Sequence, residues 1–566
     1  MSKELYELWR KMADCFYQEE LCAIADDDQA IEERFYQYVP FGTGGMRGKL
    51  GAGTNRLNIH TIRLVAEGLA RQIESQGVIA KARGVVIAYD TRHFSQDFAY
   101  ETAGVLAAHG IQSYVFKESR PTPELSFAVR YLGAFAGVVI TASHNPKEYN
   151  GFKVYGEDGA QLTPQFADEL VEHMKGVTDI FSIYSCSKEE LTTSELCIEI
   201  LERIDDAYQE ALQKLVQNAV DSKDLPIVYT PLHGAGLVPT MRSLEVGGFT
   251  NVQVVTEQAV PNGDFPTVSY PNPEEVASFE MAMELGQQIG AKLLLATDPD
   301  ADRLGVAIHN GEGYTLLNGN QLGALLLQYI LSSKQKAGTL PSNAAMLKTI
   351  VTSELGTAIA ESFGVTTIDT LTGFKYIAEI IAEFEATGVH KFIFGYEESY
   401  GYLAGDFVRD KDAVQIALLT AEMAAYYSEK NQTLLDALNA LYEKYGYYKE
   451  KLLSFTFEGV EGQKKIASIM REFRKAPLRE FDGIAITAKE DYIEGISHLA
   501  SGEAKALSFP KADVLKYLLA DGSWICIRPS GTEPKCKVYI GVHKSTKVEA
   551  QKKINSIAHS IKKIII

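Results

Sequence analysis

The chain has 566 residues, 46% of them hydrophobic and 23% charged, with a formal net charge of −19. That length predicts about three to five globular domains, and the acidic balance argues against nucleic-acid binding, which needs a basic face. No stretch approaches the roughly 18 apolar residues of a membrane span, and the six scattered cysteines form no CxxC pair, which points away from zinc or disulfide chemistry and toward a reducing, cytoplasmic setting.

Residues 1–40 read as a helical extension; its first twenty residues are expected to form one charged amphipathic helix without a signal-peptide core. A first α/β block spans 41–222. Its strands are expected at Gly84–Asp90, Ile111–Phe116 and Ala136–Thr141, with Ser95 as N-cap of the helix running to Gly110. A helical stretch around Ile198–Ala219 ends the block. A second block, 223–317, opens with the strand Pro226–Thr230 and continues through Asn251–Val255, a helix near Phe279–Ile289 and the strand Lys292–Thr297. A third block, 318–446, starts with a helix near Asn320–Lys336 and carries strands at Ala345–Thr349, Thr366–Asp369 and Lys391–Phe394. The fourth, 447–566, mixes strands with two helices. Alternation of strand, turn and amphipathic helix predicts α/β domains with largely parallel sheets.

Four stretches carry the chemistry. Thr141–Tyr155 reads TASHNPKEYNGFKVY and begins at the carboxyl end of a strand, where open α/β sheets place ligand sites. Ser143 on an Asn-Pro turn can carry a phosphate, with His144 and Lys153 in reach of the same anion. It is no hydrolase elbow, since GxSxG is absent. The stretch Gly44–Leu50 is no P-loop either, because Thr43 and Leu50 break GxxxxGK[ST]. Asp298-Pro-Asp-Ala-Asp-Arg303 follows a buried strand. Its carboxylates at alternate positions can converge on one hard cation. The EF-hand alternative fails because Arg303 and His309 stand where Gly and Glu are required.

Gly395–Gly401 (GYEESYG) offers Glu397, Glu398 and Ser399 to sugar hydroxyls, with Tyr396 and Tyr400 as an apolar wall; an acidic turn is the plain alternative. Arg528–Pro534 (RPSGTEP) offers a guanidinium, two hydroxyls and a Gly-opened turn, a good phosphate cradle. Leu371–Tyr376 (LTGFKY) is a further candidate contact, including Thr372, Gly373 and Lys375. Lys411, in a segment Arg409–Asp412 that starts a helix, is either a surface lysine or an acid/base group.

Taken in order, TASHNP, DPDADR, GYEESYG and RPSGTEP resemble the four active-site loops of the α-D-phosphohexomutase superfamily, over about Phe41 to Val542. The resemblance implies four domains around a central cleft. Three would be related α/β domains with mixed sheets; the last would be a smaller α+β domain like the TATA-binding protein. It implies a phosphoserine at Ser143 and one Mg²⁺ per subunit on Asp298, Asp300, Asp302 and the serine phosphate. By the same resemblance Arg303 steadies that loop or the phosphate, Glu397 and Ser399 hold sugar hydroxyls, and Arg528, Ser530, Gly531 and Thr532 hold the non-reacting phosphate. Arg47, in GTGGMRG, matches the family's N-terminal active-site arginine. Lys153, Lys411 and His144 are candidate acids and bases.

The acidic-acidic-serine loop looks like the glucose-type branch. It implies interconversion of glucose 1-phosphate and glucose 6-phosphate through glucose 1,6-bisphosphate. Tyr396 and Tyr400 depart from the commonest loop, GEESFG, and resemble a longer branch that includes both phosphoglucomutases active on glucose and enzymes preferring ribose or deoxyribose phosphates. A sugar-bisphosphate synthase and a sugar-phosphate sensor are the readings from other classes. The implied partner is a small phosphosugar, with no nucleic acid and no membrane, in a monomer or a dimer.

Overall fold

The computed structural model describes the chain except Met1, Thr43, Ala219, Asp221, Ser222, Glu458, Pro477, residues 531–534 and Ile566, and except the side chains of 459–461. The chain divides into two compact units. The first comprises Met1–Asn318, Ala378–Val389 and Ser399–Lys430; the second comprises Gly319–Ile377, His390–Glu398 and Asn431–Ile566.

The first unit opens with three helices, Ser2–Met12, Cys15–Ala23 and Asp28–Phe35, within the expected helical extension; two of them stand where one helix is expected over the first twenty residues. The break around Ala13 and Asp14 brings Trp9 and Tyr17 onto the same imidazole, His60, at ring distances of 5.3 and 6.0 Å. A single straight helix is replaced by a packed aromatic cluster.

A seven-stranded mixed sheet follows. Its order is Phe41–Gly42, Gly45–Lys49, Tyr149–Tyr155, Ala136–Ile140, Val85–Tyr89, Ser113–Phe116 and Cys197–Ile200. The β-branched runs of Val85–Tyr89 and Ala136–Ile140 are buried throughout and pair in parallel, as sheets covered on both faces require. The helix expected around Ile198 is corrected: Cys197–Ile200 extends the sheet in parallel with Ser113–Phe116, and the helix starts only at Glu202. Tertiary pairing outweighs the local helical pattern there. Ser95 is not an N-cap. Phe94 takes that position at φ 64°, and the Ser95 hydroxyl donates instead to Asp90 Oδ1 at 2.7 Å.

A second sheet in this unit has the order Tyr314–Leu317, Leu304–His309, Leu293–Thr297, Ile227–Thr230 and Val252–Val254. Leu293–Thr297 runs parallel to Ile227–Thr230 and antiparallel to Leu304–His309. The aspartate loop is thus the turn of a hairpin whose last pair is Thr297 with Leu304. The serine loop has the same construction, since Ala136–Ile140 and Tyr149–Tyr155 pair antiparallel with Ile140 opposite Phe152.

In the second unit, Ala344–Thr349 pairs in parallel with Thr366–Thr370 on one side and Lys391–Tyr396 on the other. The C-terminal region is an antiparallel sheet that includes Tyr447–Thr456, Lys535–Lys544, Trp524–Pro529, Leu515–Leu519 and Ile484–Asp491. The helices Gly459–Lys475 and Lys547–Ile565 supply Ile469, Met470, Phe473, Ile554, Ile557 and Ile561 to its core.

Candidate active site

Hairpin geometry sends the serine loop and its return strand to one place. Ser143 is buried and sits at φ 52°, the left-handed region that residues with side chains avoid. Its amide donates to Thr141 Oγ1 at 2.8 Å, and its hydroxyl donates to Asp298 Oδ2 at 2.7 Å. Lys153, opposite Val139 on the return strand, is turned to the same aspartates. Its Nζ lies 2.8 Å from Asp300 Oδ2 and 3.7 Å from Asp302 Oδ2.

Asp298, Asp300 and Asp302 are 0%, 0% and 2% exposed. Each offers an oxygen to a cluster within 4.8 Å. Ala301 at φ 45° turns the loop so that alternate carboxylates point one way. Thr122 Oγ1 donates to Asp300 Oδ2 at 2.9 Å, and the Asp302 and Arg303 amides both donate to Asp298 Oδ1 at 3.1 Å. Burial and the two neighbouring carboxylates push Asp298 well up. Asp300 is equally buried, but the Lys153 ammonium outweighs that and holds it well down.

Among the described residues, Asp300 Oδ1 and Asp302 Oδ1 are buried and accept no hydrogen bond. Orphaned carboxylate oxygens are costly. An all-oxygen set with free lone pairs fits a hard divalent cation. Two ammonium groups offset the charge within the protein: Lys153, and Lys411, whose Nζ is 3.1 Å from Asp302 Oδ2 and 3.0 Å from Asp410 Oδ1. Lys411 is therefore no surface lysine. It directly precedes Asp412, which caps the helix Ala413–Ser428 by accepting from the Val414 and Gln415 amides.

His144 Nδ1 is 3.1 Å from the Ser143 hydroxyl. Burial and the Arg303 and Arg47 guanidinia push its imidazole well below the usual histidine range, so it is neutral near pH 7. Arg47 Nη1 donates to Asn145 Oδ1 at 3.2 Å, which places it on the serine loop. Arg303 Nη1 donates to Glu274 at 2.7 Å, and its Nε lies 3.8 Å from Asp302. Ser399 is half-buried and belongs to the first unit.

The second unit holds the other candidates. Glu397 Oε1 accepts from the Gly373 amide at 2.9 Å, which ties the 395–398 loop to the Leu371–Tyr376 stretch. Arg528 Nη1 donates to Thr372 Oγ1. Lys375 Nζ lies over the Tyr376 ring at 4.9 Å. Glu398 Oε2 accepts from Thr349 and Thr352. Ser530 is half-buried and its amide donates to Lys535 O at 2.8 Å. Gly531 and Thr532 lie outside the described residues.

Tyr396 corrects an expectation. It is 0% exposed and packs on Gly323 and Gly356, where an added Cβ would meet the ring at 2.2 Å or the hydroxyl at 2.4 Å. It is core, not the wall of a sugar site. Tyr400 is also buried.

Sequence reasoning missed Thr122 and Arg92, and gave no role to Asp410 beside Lys411. Thr122 opens a helix and Arg92 follows a strand, each in an unremarkable string, and only the fold brings them to the motifs. The one signal was position: Asp90-Thr-Arg92 stands at the carboxyl end of a buried strand.

Among the described residues no helix is long and apolar enough to cross a membrane. Family models described as phosphoglucomutase/phosphomannomutase alpha/beta/alpha domains I, II and III match residues 39–180, 206–311 and 318–445, and the C-terminal domain of the same family matches 474–555. The phosphoglucomutase of Staphylococcus aureus (strain MSSA476) is 39% identical over 562 residues, 98% of each chain. That of Staphylococcus epidermidis is 43% identical over 506 residues, covering 89% of this chain and 90% of that one. Two solved structures share the fold. Paramecium parafusin, a phosphoglucomutase, superposes with a TM-score of 0.65 at 17% identity, covering 92% of this chain and 93% of that one. A phosphoglucomutase/phosphomannomutase family protein from Burkholderia thailandensis does so with a TM-score of 0.65 at 18% identity, covering 92% and 96%. With all four domain models matched in order along these sheets and loops, the chain belongs to the phosphoglucomutase/phosphomannomutase family.

Proposed function

We propose that this enzyme, a phosphosugar mutase, interconverts glucose 1-phosphate and glucose 6-phosphate, with Ser143 as the phosphoryl carrier. The observation that carries the reading is the Ser143 hydroxyl at 2.7 Å from Asp298 inside a buried three-aspartate cluster. The full-length relatives named phosphoglucomutase point to glucose. Tyr396 and Tyr400, whose departure from GEESFG leaves glucose and pentose phosphates both open, are buried, so Glu-Glu-Ser is the polar part of the loop.

In the proposed cycle the P–O bond of phosphoserine 143 breaks as a new P–O bond forms to the sugar's free hydroxyl, whose proton passes to a base. The product is glucose 1,6-bisphosphate. The sugar reorients, its other phosphoryl group returns to the Ser143 oxygen, and the proton is given back. Mg²⁺, held by Asp298, Asp300, Asp302 and the serine phosphate, would neutralise charge on the transferring phosphoryl oxygens. Lys153 and Lys411 are the acid and base candidates, since both ammonium groups already face the reacting centre; the one that takes the sugar proton must first give up its own. Neutral His144 can donate its Nδ1–H to the serine oxygen while the serine hydroxyl donates to Asp298. Arg47 and Arg303 offset phosphate charge beside the serine.

Glu397 and Ser399 take sugar hydroxyls in this reading. Arg528, Ser530, Gly531 and Thr532 take the phosphate that is not reacting, and Thr372, Gly373 and Lys375 supply a further sugar or phosphate contact. We assign these loops to domains 41–222, 223–317, 318–446 and 447–566, after an extension of 1–40. The cytoplasmic setting belongs to the same reading, with all six cysteines free.

The test is isomerisation of glucose 1-phosphate against ribose 1-phosphate, with Mg²⁺ and a trace of the matching bisphosphate. A glucose preference lost in Ser143→Ala is expected. A ribose preference would overturn the substrate, and bisphosphate accumulating without isomerisation would make the enzyme a synthase.

A further inference from the structure

Arg92 reaches the serine loop without touching the serine hydroxyl. It stands just past the strand Val85–Tyr89, and its side chain is fully buried. One guanidinium nitrogen, Nη2, donates to the carbonyls of Ser143 at 2.6 Å and Asn145 at 2.5 Å. The other, Nη1, donates to Pro146 O at 2.8 Å and Tyr149 O at 3.1 Å. Asp90 Oδ2 lies 3.2 Å from Nε. Behind the fork, the buried ring of Phe265 sits 4.9 Å from the guanidinium carbon. Phe265 comes from the segment between the strands Val252–Val254 and Leu293–Thr297, so the clamp joins the serine loop to a connection between strands of the second sheet.

These contacts bear on the backbone of Ser143 itself. The peptide group before it is held by Thr141 Oγ1 and the one after it by Arg92. Pinned on both sides, the residue keeps φ at 52°. A residue with a side chain leaves that region when nothing holds it. Rotation there would swing the hydroxyl away from Asp298. Only a planar, five-donor fork can serve four carbonyls at once; an ammonium is a point charge with three donors.

We infer that Arg92, backed by Phe265, is a positioning residue for phosphoryl transfer: by gripping four loop carbonyls it keeps the Ser143 hydroxyl aimed at the aspartate cluster. This rests on the reading of Ser143 as phosphoryl carrier.

The test uses the full chain carrying Arg92→Lys or Phe265→Leu, checked for folding by circular dichroism and thermal unfolding. Each is phosphorylated with glucose 1,6-bisphosphate, and phosphoserine is counted by intact mass. Rapid quench then gives the single-turnover rate to glucose 1-phosphate per phosphorylated chain, beside the steady-state KM. Arg92→Lys is expected to slow transfer about thirtyfold or more with KM within about threefold, and Phe265→Leu to fall between it and wild type. Failure of a folded variant to accept the phosphoryl group counts as the same loss. A merely structural arginine would lower Tm and leave the rate per phosphorylated chain unchanged, which would overturn the inference. Should Arg92→Lys not fold, Phe265→Leu decides by the same criterion. A wild-type chain that takes up no phosphoryl group on Ser143 would instead sink the carrier reading.

Discussion

The reactive centre of the first unit and the sugar and phosphate candidates of the second are built on opposite plans. Ser143, Lys153 and the three aspartates are buried and paired with one another, on two hairpin turns. Thr372, Gly373, Lys375, Arg528 and Ser530 are half-buried, while Glu397 beside them is buried on the Gly373 amide. The difference follows the work each group does. A phosphoryl carrier must hold its geometry before the substrate arrives, because misplacement costs rate. A binding group must leave its donors within reach of a ligand.

That contrast predicts a split between kcat and KM. Ser143→Ala is expected to lower kcat by at least about a thousandfold, with a thermal unfolding curve like the wild type's. Asp300→Asn, or chelation of divalent cations from the wild type, should cost about a hundredfold or more. A Mg²⁺ titration by calorimetry should show weakened binding in the variant. Arg528→Ala removes a charged phosphate donor and should raise KM for glucose 1-phosphate about tenfold to fiftyfold, with kcat changed far less. If Arg528→Ala depressed kcat as deeply as Ser143→Ala, the division between the two regions would be broken.

The smallest expected effect is on stability and separates the regions by pH. In the second unit, burial pushes the Glu450 carboxyl up to about 7, against hydrogen bonds from Ser353 and Asn320. An unfolded glutamate titrates near about 4.3. Between those values the folded chain holds a proton that the unfolded chain has lost. Stability therefore falls as pH rises from about 4.5 to about 7 and levels off above. Glu450→Gln keeps a neutral side chain at every pH. Its Tm should exceed the wild type's by about 2 °C or more at pH 8, and the two should converge at about pH 4, below the unfolded glutamate's own titration. Equal Tm values at both pH values would rule out the buried-acid account.

The motifs were legible because their chemistry is compact in sequence. Asp298, Asp300 and Asp302 lie on one turn, and Ser143 and Lys153 flank a single loop. The α/β blocks were legible from apolar strands followed by amphipathic helices. Residues recruited from far along the chain were not. Thr122 and Arg92 reach the centre only through sheet order, which no local pattern encodes. Nor could the sequence separate an aromatic that lines a site from one that fills a core. Tyr396 lies inside a polar motif and packs on two glycines contributed by other segments. At Cys197–Ile200 a vacant sheet edge decided the conformation that residue preference left undecided.

The cross-ties of the reactive centre also have a kinetic consequence. Ser143 meets Asp298 across 155 residues of chain, Lys153 meets Asp300 across 147, and Thr122 meets Asp300 across 178. Contacts that close such long loops form slowly, after local strands and helices have condensed. On refolding from denaturant, the far-ultraviolet signal should therefore recover before catalytic activity. During that lag the chain holds its secondary structure with the three carboxylates not yet neutralised, and the late, rate-setting event is the docking of one hairpin turn against the other.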